Sequence, residues 1–135
     1  MLRHGQTDFN LKGIVQGSGV DSPLNDNGRK QALAFYQAYH QYGFDKLYTS
    51  SLIRTHQTVQ QFIDDGLPWE ALPDLNEISW GKYEGQPITP DEDKYYRWVL
   101  EQWTSGQTDL KIGGGESPDE VSFRLAKAMD VIIQT

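Results

Sequence analysis

Apolar residues recur at helical spacing in four stretches of the chain. Ala32, Tyr36 and Tyr39 follow Asn25, a residue suited to capping a helix, and they predict a helix from about Asp26 to Tyr42 that Gly43 stops. Leu52, Val59, Phe62 and Ile63 predict a second helix, capped by Ser50 or Ser51 and ended by Gly66. Thr89-Pro90-Asp91-Glu92 opens a third with a capping box, running to about Trp103, with Tyr95, Trp98, Val99 and Gln102 or Trp103 as its inner stripe. Ser117-Pro118-Asp119-Glu120 repeats the signal for a fourth, with Val121, Leu125, Ala128, Met129 and Ile132 on one face. Between these lie two runs that read as short strands, Phe44 to Thr49 and Leu67 to Leu72, the latter at a sheet edge because prolines bound it. At the start, only Met1 and Leu2 precede Arg3. The first strand is therefore expected as a stub, with the turn Arg3-His4-Gly5 at its carboxyl end, where open α/β sheets hold their ligands.

Composition narrows the class. The chain has 135 residues, 37% of them hydrophobic, which fits a single α/β domain of modest size. A formal charge of -7 argues against nucleic acid or an anionic membrane as a partner, since both require a basic face. Any phosphate site must be a local concentration of arginine within an acidic surface. Cysteine is absent, which removes disulfides and thiolate metal sites. No run of about 18 apolar residues and no leader peptide is evident, so a cytoplasmic location is the default.

The candidate chemistry gathers at Leu2-Arg3-His4-Gly5-Gln6-Thr7, with Asn10 behind it. An imidazole nitrogen is a competent nucleophile toward phosphorus, and a guanidinium matches two phosphate oxygens. Gly5 permits close approach of backbone to a ligand, while the Thr7 hydroxyl and Asn10 amide can donate to the same anion. Further along, Arg54 falls in the first turn of its helix, where a cation calls for an anion. Glu77 and Glu84 lie in the loop Leu75 to Gly85, whose glycines and aromatics suggest a shaped wall. His56, Lys12 and Arg97 read as solvated surface charges, and His40 as a charge suited to a helix C-terminus. No carboxylate or histidine cluster suggests a metal.

These segments together resemble the histidine phosphatase superfamily, the phosphoglycerate mutase-like proteins. The correspondence covers Arg3-His4-Gly5 with Thr7 and Asn10; Asp21, Pro23, Leu24, Gly28, Gln31 and Ala32; Ser50, Leu52, Arg54 and Thr58; Glu77 through Glu84-Gly85; and Gly114-Gly115-Glu116-Ser117 with Arg124. Ser51 stands where the family usually has proline. The resemblance implies a three-layer α/β sandwich, a mostly parallel sheet flanked by helices. It also implies that His4 is the phosphoryl-accepting nucleophile, that Arg3, Arg54 and Asn10 hold the phosphoryl oxygens, and that Glu77 protonates the leaving oxygen. Glu84 is then a second carboxylate of the site, and Thr7, Gly17 and Gly115 are substrate contacts.

The family's second histidine, which ends a later strand in a His-Gly pair, has no counterpart here. The expectation is a domain truncated at both ends, with helix faces left uncovered. The implied activity is phosphoryl transfer through phosphohistidine, most simply hydrolysis of a small phosphorylated metabolite, with no metal or other cofactor. Two alternatives stand beside it. One is a cofactor-dependent phosphoglycerate mutase primed by 2,3-bisphosphoglycerate; the short passage after Glu77, with Lys82 as its only cation, favours the phosphatase. The other is a catalytically impaired binding or regulatory module. Uncovered sheet edges permit a homodimer.

Overall fold

Met1 and Leu2 build no strand. Both are exposed, and residues 1–6 have no regular structure in the computed structural model, which describes residues 1–134. A strand needs a ladder of backbone partners, and among the described residues at this end the pairing stops at one isolated antiparallel bridge, Thr7 to Leu24, while the Gly5 and Gln6 amides go to side chains. One helical turn follows, α1 (Asp8–Lys12), which the spacing of apolar residues did not announce.

By its internal contacts the backbone forms two compact units, Met1–Leu11 with Asp21–Asn76, and Lys12–Val20 with the residues from Glu77 onward. In the first unit, α2 (Asp26–Tyr39) starts at Asn25, whose side chain accepts from the Gly28 amide. It stops three residues short of the expected end. β1 (Leu47–Thr49) leads into α3 (Ile53–Thr58) and α4 (Gln60–Asp64), and β2 (Trp69–Ala71) returns parallel to β1 in register Leu47 to Trp69. This is a βαβ connection, so the Leu67 to Leu72 run is a parallel strand. The predicted second helix is broken at Val59, whose φ and ψ of −117° and 16° leave the helical region. Leu24, Ala32, Leu52, Val59 and Phe62 form the core of this unit, with Phe35, Tyr36 and Phe44 packed around the Phe62 ring.

In the second unit both capping boxes form as read. Thr89 and Glu92 open α5 (Pro90–Thr104), and Ser117 and Glu120 open α6 (Pro118–Ile133). The inner face of α5 differs from the predicted stripe. Val99 is buried and Trp103 half-buried, but Tyr95 and Trp98 are 41% and 51% exposed, and Tyr96 takes the inward position against Trp80. Ala128 is the buried residue of α6, whereas Leu125, Met129, Phe123 and Ile133 are exposed. The segment Ile14–Val15 is held by Val15 N–H to Gln86 O and Gly85 N–H to Val15 O.

Candidate functional site

The first unit assembles the basic and nucleophilic candidates. His4 Nδ1 lies 2.6 Å from the Gly5 carbonyl oxygen. A carbonyl only accepts, so in the neutral ring Nδ1 carries the proton and Nε2 the lone pair. The Gly5 amide donates to Thr58 Oγ1 at 3.0 Å, and the same hydroxyl donates to the Arg54 carbonyl at 2.7 Å. One side chain thus ties the His4 turn to the helix that carries Arg54. Arg54 itself is 0% exposed, although its helix is not capped as expected. Ser50 Oγ accepts from Leu52 N–H and Ser51 Oγ donates to Asn76, while the Ile53 amide at the start of α3 donates to Asp21 Oδ1 at 2.7 Å. A carboxylate there satisfies an orphan amide and offsets the positive helix end.

Behind His4, the loop is pinned to α2. Gln6 N–H donates to Gln31 Oε1, Asn25 N–H donates to Gln6 O, and the Asn25 and Asn27 amides donate to Gln6 Oε1. Gly28 packs so close that a Cβ would sit 2.1 Å from Gln6 O. Thr7, 0% exposed, and Asn10 cap each other. Thr7 N–H and Oγ1 both lie 3.0 Å from Asn10 Oδ1, and Asn10 N–H donates to Thr7 Oγ1. Asn10 therefore presents its amide nitrogen as the group able to donate to an anion. Arg3 is exposed beside this turn. His56 is structural, with Nε2 on the Ser50 carbonyl at 2.7 Å and its ring edge-on to Trp69.

The second unit carries Glu77, Glu84, Gly17 and Gly115. The Glu77 carbonyl accepts from Arg124 at 3.0 Å, and the Arg124 guanidinium grips both oxygens of Glu116, Nε to Oε2 at 2.8 Å and Nη2 to Oε1 at 3.0 Å. Glu116 Oε1 also accepts from the Ser79 amide, and Glu116 N–H donates to Ser79 O. A partly buried bidentate pair therefore clamps the backbone around Glu77. The hydrogen bond from Arg124 holds the Glu116 carboxyl below its ordinary range, against the opposing effect of burial. Glu84 points its carboxylate at backbone, accepting from Gly19 N–H at 3.0 Å and Trp80 N–H at 3.5 Å. Gly17 lies under the same carboxylate, where a Cβ would fall 1.9 Å from Glu84 Oε1 and 2.4 Å from Ile78 O. Gly115 N–H closes a turn onto Ile112 O. Among the described residues, no cluster of three or more His, Cys, Asp or Glu could hold a metal ion, and no helix is long and apolar enough to cross a membrane.

A family model for the histidine phosphatase superfamily, branch 1, matches residues 1–135. The chain belongs to that superfamily. A probable phosphoglycerate mutase GpmB from Yersinia pestis is 33% identical over 138 residues, an alignment covering 99% of this chain and 62% of that protein. Among solved structures, a mycobacterial glucosyl-3-phosphoglycerate phosphatase with VO3 superposes with a TM-score of 0.84 at 27% identity, over 99% of this chain and 63% of the other. The alpha-ribazole phosphatase of Shigella flexneri gives 0.79 at 25% identity, over 98% and 65%. The chain thus spans about 62% of the length of the curated relatives it matches, and its fold is the α/β fold of histidine phosphatases.

Within that superfamily pattern, the sequence marked Thr58, Glu116 and Arg124 as matching positions and gave them no task. Each works through a side chain aimed at backbone, the Thr58 hydroxyl, the Glu116 carboxylate and the Arg124 guanidinium, a role that residue type alone does not disclose. The Asp21 cap on α3 was missed for the same reason, since its acceptor and the amide it serves are 32 residues apart.

Proposed function

We propose that this protein hydrolyses a small phosphomonoester by way of a phosphohistidine on His4. What supports the reading most is the pairing of the His4 turn with the buried Arg54 through Thr58 Oγ1. Neutral His4, with Nδ1–H directed to Gly5 O, attacks phosphorus through Nε2, and the phosphorus–oxygen bond to the alcohol breaks. A guanidinium stays charged at any working pH, and at 0% exposure its pull on the phosphoryl oxygens is little screened. Arg3 and the Asn10 amide add donors, with Thr7 shaping their turn. Glu77 delivers a proton to the departing alkoxide, a role worth typically about 10²- to 10⁴-fold. Water then takes the phosphoryl group from His4. Positioning and charge stabilisation supply most of such catalysis, and no metal or other cofactor is assigned a step. Glu84, Gly17 and Gly115 act by shaping the wall that carries Glu77.

The kinship with GpmB favours a second reading, a phosphoglycerate mutase in which a second hydroxyl replaces water and 2,3-bisphosphoglycerate primes His4. A phosphorus NMR time course with 3-phosphoglycerate and a trace of 2,3-bisphosphoglycerate separates the two. Inorganic phosphate alone means hydrolysis, and 2-phosphoglycerate without phosphate means a mutase. His4→Ala should lower either rate by about 10⁴-fold or more. Turnover that survives this change removes the nucleophile, and no turnover by either form points to a binding module.

A further inference from the structure

A cavity of about 310 Å³ opens within the second unit, walled by Trp80, Tyr83, Tyr96, Ile88 and Ile112. We infer that this cavity receives the alcohol half of the substrate, and that this alcohol is apolar and uncharged, alkyl or aryl. The inference rests on Glu77 being the acid of the proposed reaction, and it deepens that reading by naming a substrate class.

The placement follows from contacts inside the unit. An acid that protonates a leaving oxygen must lie within hydrogen-bond reach of it, so the alcohol lies against the residues around Glu77. Trp80 is three residues beyond Glu77. Gln16, on the cavity wall, precedes Gly17, whose Cβ position is 2.4 Å from Ile78 O and 2.9 Å from Trp80 Cδ1. Ser18 N–H donates to the same Ile78 carbonyl. The loop of Gln16 and Gly17, the Glu77–Ile78 backbone and the Trp80 ring therefore form one continuous wall, and the cavity is its apolar part.

The chemistry of the lining sets the class. Trp80 is held edge-on by Tyr96 at 5.6 Å and stacked near Trp103 at 6.4 Å, which makes the apolar surface a fixed one. Glu92 and Asp93 supply the charge on the wall, and each is committed, Glu92 to the Thr89 amide and Asp93 to Arg97 Nε at 2.9 Å. Among the described residues no lysine or arginine lines this cavity. A carboxylate-bearing alcohol such as that of 3-phosphoglycerate would meet the Glu92 carboxylate and no lining cation to pair with, whereas an alkyl chain or ring would bury its surface on aromatic faces.

The test is a series of methyl, butyl and hexyl phosphate alongside 3-phosphoglycerate, read as kcat/KM from released phosphate, for the parent protein and for Ile88→Asp. Ile88 is 40% exposed, so the change is compatible with folding. The expected result is a rise of about threefold to fourfold per added methylene until the cavity fills, following the usual gain for burying a CH₂. Butyl phosphate should exceed 3-phosphoglycerate, and Ile88→Asp should lower the hexyl-to-methyl ratio by about tenfold. A flat series with phosphate released from every ester, an unchanged ratio in Ile88→Asp, or preference for 3-phosphoglycerate would overturn the assignment and leave the phosphatase reading in place. No release from any ester, by the protein and by His4→Ala alike, would instead overturn the phosphatase reading and this inference with it.

Discussion

In the first unit the candidate chemistry is fixed from beneath by regular elements: α2 holds the Gln6 backbone, and the Thr58 hydroxyl at the end of α3 joins Gly5 to Arg54. In the second unit it lies on a loop held by one long side chain, Arg124 of α6, which donates to the Glu77 carbonyl from 47 positions away and has the Glu116 carboxylate behind it. The contrast suggests a division of labour. In the proposed mechanism, the groups assigned to the phosphoryl oxygens, which are identical in every phosphoester, sit on helix-anchored backbone. The groups it assigns to the alcohol, which varies, sit on a wall that loop residues can reshape.

Substitutions can break that contrast. Arg54→Ala is expected to have the largest effect, lowering kcat/KM by about 10³-fold for alkyl and aryl phosphates equally, because both present the same oxygens. Steady-state kinetics on one ester of each kind checks it, and a loss confined to one class would sever Arg54 from the phosphoryl group. Glu77→Gln should cost about 10²- to 10³-fold on an alkyl phosphate and far less on an activated aryl phosphate, whose alcohol leaves without a proton. Equal losses would remove Glu77 from the acid role.

Two smaller effects sharpen the comparison through stability. Gly28→Ala drives a methyl group to 2.1 Å from Gln6 O, and the urea midpoint should fall by the equivalent of about 2–3 kcal/mol. In the second unit, the Glu116 carboxyl titrates below its ordinary range because Arg124 hydrogen-bonds its charged form. A depressed folded pKa contributes stability above the unfolded value, and that contribution is lost as pH falls through the folded one. Glu116→Gln should therefore be less stable than the parent by about 1–2 kcal/mol at neutral pH. The gap should close on acidification past the usual glutamate range, as urea midpoints across pH will reveal.

The elements read most accurately were those fixed locally. Asn25, Thr89–Glu92 and Ser117–Glu120 cap helices within three or four residues, and each cap forms. Features set by distant partners were not legible. Helical spacing identified α5, yet aromatics on several sides of it left the buried face ambiguous, and Tyr96 rather than Tyr95 or Trp98 turned inward. The apolar start predicted a strand stub, but two residues with no ladder partner stay irregular. At the candidate site, residue type pointed to His4, the first-turn position of a cation to Arg54, and the resemblance to the superfamily to Glu77 and to the phosphate role of Arg54. The Thr58 bridge, the Asp21 cap and the Arg124 clamp needed coordinates, because a hydroxyl, carboxylate or guanidinium serving distant backbone leaves no periodic mark.

The central claim is that His4 Nε2 carries the phosphoryl group. Rapid quenching during turnover, followed by peptide mass spectrometry under alkaline conditions that preserve phosphohistidine, tests it directly. The account predicts one acid-labile phosphoryl group on the peptide containing His4, absent from His4→Ala. Turnover with that peptide unmodified, or with the label on another residue, would contradict it.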